Sequence, residues 1–94
     1  MYEIIPVDGR LFAVNTTTKT YYVRVMVDTI ANKADLMLEL CRAIVRIERA
    51  GAIVTSVQEV TADGHRPRVS YRQSREYKQA QKEPNDALIN PKIE

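Results

Sequence analysis

At 94 residues the chain can hold one core rather than two, since an independent core generally needs upward of about 50 residues. Its 45% hydrophobic and 28% charged content matches ordinary globular domains and excludes disorder from end to end. The formal net charge of +2 hides an uneven spread: seven basic and eight acidic groups over residues 1–64, six basic and one acidic over 65–82, one basic and three acidic over 83–94. The potential that steers an approaching anion is therefore local to one segment.

No run approaches the roughly 18 to 20 apolar residues that a bilayer crossing needs, and the start MYEIIPVDGR lacks the basic-then-apolar layout of a secretory signal. An intracellular, cytoplasmic protein without membrane contact is expected. The single cysteine, Cys41, cannot form an internal disulfide and has no second cysteine with which to build a zinc site.

In chain order, residues 2–7 read as a first strand, with Pro6 favouring an edge. Asp8-Gly9 is a short hairpin signal, and LFAVNT resumes strand-like composition after it. After a polar tract, residues 20–27 are the clearest strand: Tyr21, Val23, Val25 and Val27 alternate onto a core face, while Thr20, Tyr22, Arg24 and Met26 take the other.

The next segment switches to the helical period. Met37, Leu40, Cys41, Ile44 and Ile47 fall three and four apart, with Asp35, Glu39, Arg42, Arg46 and Arg49 on the opposite side. Asn32 suits an N-cap and Gly51 the left-handed residue that closes a helix. Residues 52–60 read as a strand, Ala62-Asp63-Gly64 as a second hairpin turn, and residues 65–72 as a return strand weakened by Pro67. From Ser74 to Lys82 the chain is so polar that either a solvent-exposed helix or disorder is expected, followed by a proline-containing tail.

The predicted architecture is α+β: an antiparallel sheet of four to five strands, made of an N-terminal hairpin plus a split β-α-β unit, packed on one main helix. Residues 1–73 form this single domain, and residues 74–94 form a charged C-terminal extension. Over about 50 residues the order of elements resembles half of a ferredoxin-like domain, as in small ribosomal S6-type proteins, with the return strand inserted between the other two. That resemblance is one of architecture and implies no function. One helix covers one face of a sheet, so the face bearing Tyr22, Arg24 and Met26 is a candidate oligomer face, and a homodimer would bury it.

Catalytic chemistry finds little to work with. His65 is the sole histidine, in a turn among arginines, and reads as an exposed turn residue rather than a base. Cys41, on the apolar side of the helix, reads as a small buried hydrophobe. Three glycines, each assigned to a turn or helix end, make no phosphate loop or dinucleotide fingerprint. Asp35 and Glu39 share a charged face on which pairing with bases is the ordinary role. No enzyme activity, metal or cofactor is expected.

The stretch RPRVSYRQSREYKQAQK, residues 66–82, holds six basic residues and two tyrosines against one acid. On a continuous helix Arg68, Arg72, Arg75, Lys78 and Lys82 would line one side, and guanidinium forks fit phosphate. Arg66, Arg68, Arg72, Arg75, Lys78 and Lys82 are the candidate contacts to nucleic acid or another polyanion, with Tyr71 and Tyr77 as stacking platforms. The signal is not specific, because no RNP-type motif, helix-turn-helix or zinc-finger framework accompanies it. An alternative is an adaptor or inhibitor, of accessory or mobile-element type, that binds an acidic surface of a larger protein.

Overall fold

The computed structural model describes residues 9–26 and 33–84. Within them lie five elements: β1 (Gly9–Thr16), β2 (Thr20–Met26), α1 (Lys33–Arg49), β3 (Val54–Val60) and α2 (Arg75–Lys82). The strand predicted at residues 2–7, the proposed cap Asn32 and Val27 lie outside the described residues.

A hairpin joins β1 to β2 among the described residues, with Gly9 opening β1. The turn expected at Asp8-Gly9 leads back into residues that lie outside the described ones. The β1–β2 turn runs through Thr17 and Thr18. There the Thr16 N–H donates to the Lys19 carbonyl at 2.8 Å, and the Thr16 hydroxyl accepts from the Lys19 N–H at 3.1 Å.

The sheet contains three strands among the described residues, all antiparallel, in the order β2-β1-β3. Four to five were expected; the described residues support three, and the strand expected at residues 2–7 lies outside them. The predicted return strand shrinks to one bridge between Gln58 and Arg68, bracketed by the Glu59 N–H to Pro67 carbonyl bond and the Val69 N–H to Val57 carbonyl bond. Pro67 offers no N–H of its own, and the chain turns away after Val69. A strand does stand between the two joined by α1, but it is β1, supplied from the N-terminal side.

Cross-strand partners share a face. Phe12, Val14, Val25, Val54 and Val57 meet Leu40, Cys41, Ile44 and Val45 of α1 in the core. The alternation expected of β2 holds here: Val25 is buried and Tyr21 and Val23 pack against the core, while Tyr22 and Met26 remain 60% exposed. Gly51 ends α1 with φ +105°, its N–H bonded to the Glu48 carbonyl and the Ala52 N–H to that of Ile47. That pair of bonds is the Schellman closure which a left-handed glycine permits.

The C-terminal helix departs from expectation in its surroundings. Its limits match the polar segment, but α2 packs on α1, with Tyr77 and Ala80 buried. Ser74 caps it, accepting from the Tyr77 N–H at 3.0 Å and donating to the Tyr71 carbonyl at 2.6 Å. The second apolar flank on α1 explains the burial of Val45, which the one-sided helical pattern did not include. No helix among the described residues is long and apolar enough to cross a membrane.

Candidate functional site

The basic stretch divides into three parts. Arg66 and Arg68 run beside β3, where the Gln58 side-chain amide donates to the Arg66 carbonyl at 3.4 Å and Arg68 bridges Gln58. Arg72 lies in the following turn, its guanidinium donating to the Val54 carbonyl at 2.8 Å and resting 5.3 Å from the centre of the Tyr71 ring. Arg75, Lys78 and Lys82 occupy the outer face of α2, three and four residues apart. The helix begins at Arg75, so the single stripe from Arg68 to Lys82 that a continuous helix would give is replaced by a bent arrangement.

A cleft of about 320 Å³ lies between β3 and the 68–73 segment, lined by Thr55, Ser56, Arg68, Ser70, Arg72 and Gln73 among others. It is the concave part of the basic surface. Two arginines and several hydroxyls converge there, which is donor chemistry suited to phosphate or carboxylate oxygens.

Five of the six cations have side chains with no hydrogen-bond or ion-pair partner among the described residues: Arg66, Arg68, Arg75, Lys78 and Lys82, all exposed. The described arginines of β1 and α1, in contrast, are engaged. Arg10 makes a two-pronged pair with Glu59 at 2.9 and 2.8 Å. Arg42 does the same with Glu83, both bonds at 2.9 Å, and also reaches Glu39. Arg49 donates to the carbonyls of Gln81 and Glu83 at 2.9 and 2.8 Å. Those last two arginines hold the C-terminal end of α2, where free carbonyls concentrate negative charge.

Tyr71 and Tyr77 are placed in the core, 4% and 8% exposed. Their rings meet edge to face with centroids 5.0 Å apart, and the Tyr77 hydroxyl donates to Glu48 at 2.7 Å. Burial and the Glu48 carboxylate both push the Tyr77 hydroxyl well above the usual tyrosine range. Neither ring has a face open to a base, so the stacking role has no geometry here. Sequence carried one signal for this: Tyr77 and Ala80 are three apart and share a helix face directly after a serine cap.

Across the sheet face opposite α1, uncovered among the described residues, Tyr22, Ala13 and Gln58 stand in one row, continued outward by Arg68. Arg24, Leu11 and Val60 form the next. A third row is polar: Thr20 donates to Asn15 at 2.7 Å, and the Asn15 amide donates to Ser56 at 3.0 Å. None of these residues is acidic, so sequence-distant Arg24 joins the face that Arg68 borders. The pairing of strands places it there, and sequence spacing could not.

His65 sits in an exposed turn, 3.0 Å from Asp63. Cys41 is fully buried 3.8 Å from the Ser74 hydroxyl, and burial raises its thiol to about 11, which leaves it protonated at neutral pH. Among the described residues no group of His, Cys, Asp and Glu is arranged to hold a metal ion. No protein-family model, curated protein or solved structure matches the chain.

Proposed function

We propose that the chain is a non-enzymatic binding protein that holds a nucleic acid or a comparable polyanion against Arg66, Arg68, Arg75, Lys78 and Lys82. The observation that carries this reading is that those five side chains have no partner among the described residues, beside engaged arginines on β1 and α1. A cation kept only for solubility is interchangeable with any other, whereas here the pairing is segregated by region. Arg72 contributes through the cleft, where one side of its guanidinium is already committed to Val54. Arg24 and the exposed Tyr22 extend the same surface over the sheet. A homodimer that buries the face of Tyr22, Arg24 and Met26, as expected from the sequence, is the competing use of that face: the exposure of Tyr22 and Met26 supports it, and it would withdraw Arg24 and Tyr22 from the polyanion.

The test is fluorescence anisotropy with short single- and double-stranded DNA and RNA over a range of salt. Five phosphate contacts on a single strand predict that log affinity falls against log salt with a slope of about 3 to 4. Replacing Arg68 and Lys78 with alanine should lower that slope by about 1.4 while the circular dichroism spectrum is unchanged. An absence of binding even at low salt would refute the nucleic-acid reading and turn the search to an acidic protein surface.

A further inference from the structure

We propose that β2 is a self-pairing edge, and that two copies of this chain join β2 to β2 antiparallel about a two-fold axis at Val23, so that the three described strands of each copy form one continuous sheet. The argument begins from backbone phase. In an antiparallel ladder, alternate residues turn both N–H and C=O toward the same neighbour. The bond from the Thr16 N–H to the Lys19 carbonyl fixes that phase for the hairpin. Counting along the register from that pair, Tyr21, Val23 and Val25 bond to β1. Thr20, Tyr22, Arg24 and Met26 therefore direct their N–H and C=O groups outward, and β2 stands at the sheet's edge among the described residues.

Edges that proteins protect carry prolines, bulges, inward charges or several charged side chains. Residues 20–26 contain no proline or glycine and one charge, Arg24, and the one register irregularity among the described strands lies between β1 and β3. The side chains then choose the register. An axis at Arg24 would set two arginines directly opposite each other, and an axis at Tyr22 would carry Met26 past the end of the partner strand. An axis at Val23 pairs Tyr22 with Arg24 of the second copy, and Thr20 with its Met26. All four outward residues are then satisfied, and each tyrosine ring lies beside a guanidinium.

The helix side agrees. A cleft of about 260 Å³ along this edge is lined by Val23–Met26 residues together with Glu39, Ala43 and Arg46 of α1. A two-fold inverts the order acid, small residue, base, so that opposite charges face each other across the contact. Edge pairing leaves the uncovered sheet face, with Arg24 and the neighbouring Arg68, open on both copies.

The test is sedimentation equilibrium of the full chain, unmodified and with substitutions at the exposed position 22. A mass of two chains is expected, with Tyr22→Lys, which places like charges beside Arg24, weakening association on the order of tenfold, and with Tyr22→Glu retaining or tightening it. Val23→Cys should form an intermolecular disulfide under mild oxidation far faster than Ile53→Cys, because Val23 would meet its own copy on the axis while Ile53, exposed ahead of β3, would not. A mass of one chain up to the submillimolar range would overturn the proposal. So would a dimer that is indifferent to Tyr22→Lys, or crosslinking no faster at Val23→Cys than at Ile53→Cys. Polyanion affinity enters none of these readouts, so failure here is separable from failure of the binding reading.

Discussion

The arginines of α1 and the cations of residues 66–82 bring the same charge to neighbouring surfaces of one small fold, and their surroundings differ. Arg42 and Arg49 end on Glu83, Gln81 and Glu39, and they tie the last turn of α2 to α1. Arg75, Lys78 and Lys82, on the other side of α2, end on nothing among the described residues. The helix is thus fastened along one side by a tyrosine, an alanine and two arginines, and displays its charge on the other. Charge count alone would treat both groups as one basic patch. Geometry assigns the first to folding and leaves the second available to a partner.

The largest effect should come from the fastened side. Tyr77→Ala removes a buried ring that packs against Tyr71 and bonds to Glu48, and truncation of buried aromatics costs about 3 to 5 kcal/mol. Urea unfolding followed by circular dichroism should register a loss near the lower bound, since the ring is at the margin of the core. A loss below about 0.5 kcal/mol, typical of a surface site, would show that α2 is not docked in solution and would dissolve the distinction between its two sides.

How much of this could be read from the sequence follows the range of the interactions concerned. Helix α1 and its Gly51 closure were legible because period and capping act within a few residues. The alternation of β2 was legible for the same reason. Strand order was not: β1 lies between β2 and β3 through pairings such as Val14 with Val57, which join residues far apart in the chain and leave no periodic trace. The docking of α2 left only the three-residue spacing of Tyr77 and Ala80 as a signal, because it rests on two buried residues in an eight-residue helix. Composition averaged over such a segment reports the exposed side. For the same reason Tyr71 and Tyr77 looked like free aromatics amid charge. The engaged state of Arg42, against the free state of Lys78, could be seen only once Glu83 was placed.

A direct way to break the comparison is to truncate one member of each set. Arg42→Ala should lower stability by about 1 kcal/mol, since the pair is two-pronged but partly exposed, and exposed pairs are worth little more. It should leave the salt slope of polyanion binding unchanged. Lys78→Ala should do the opposite, with stability within about 0.5 kcal/mol of the parent and the slope reduced by about 0.7. Equal effects of both substitutions on binding would mean that the paired arginines also face the ligand.

The smallest effect expected is on acid stability, and its sign follows from Glu83. The Arg42 guanidinium, bonded to both carboxylate oxygens, holds the Glu83 carboxyl below its ordinary value of 4.5. A depressed folded-state value means that the unfolded chain binds the proton more readily. The stabilisation is therefore complete above about 4.5 and is lost as pH falls through the lower value of the folded state. Glu83→Gln should flatten the stability profile in that window and cost less than about 1 kcal/mol at neutral pH. Asp63 is also depressed, by the Thr61 hydroxyl and the His65 N–H. It lies in the exposed turn away from α2, so the double variant Arg42→Ala with Glu83→Gln separates the two. Flattening should be as complete in the double variant as in Glu83→Gln alone, because the acid dependence assigned to Glu83 comes from its pair with Arg42. Residual dependence below 4.5 that survives both substitutions belongs to groups such as Asp63, and an unchanged profile would place the restraint on α2 in Tyr77 and Ala80 alone.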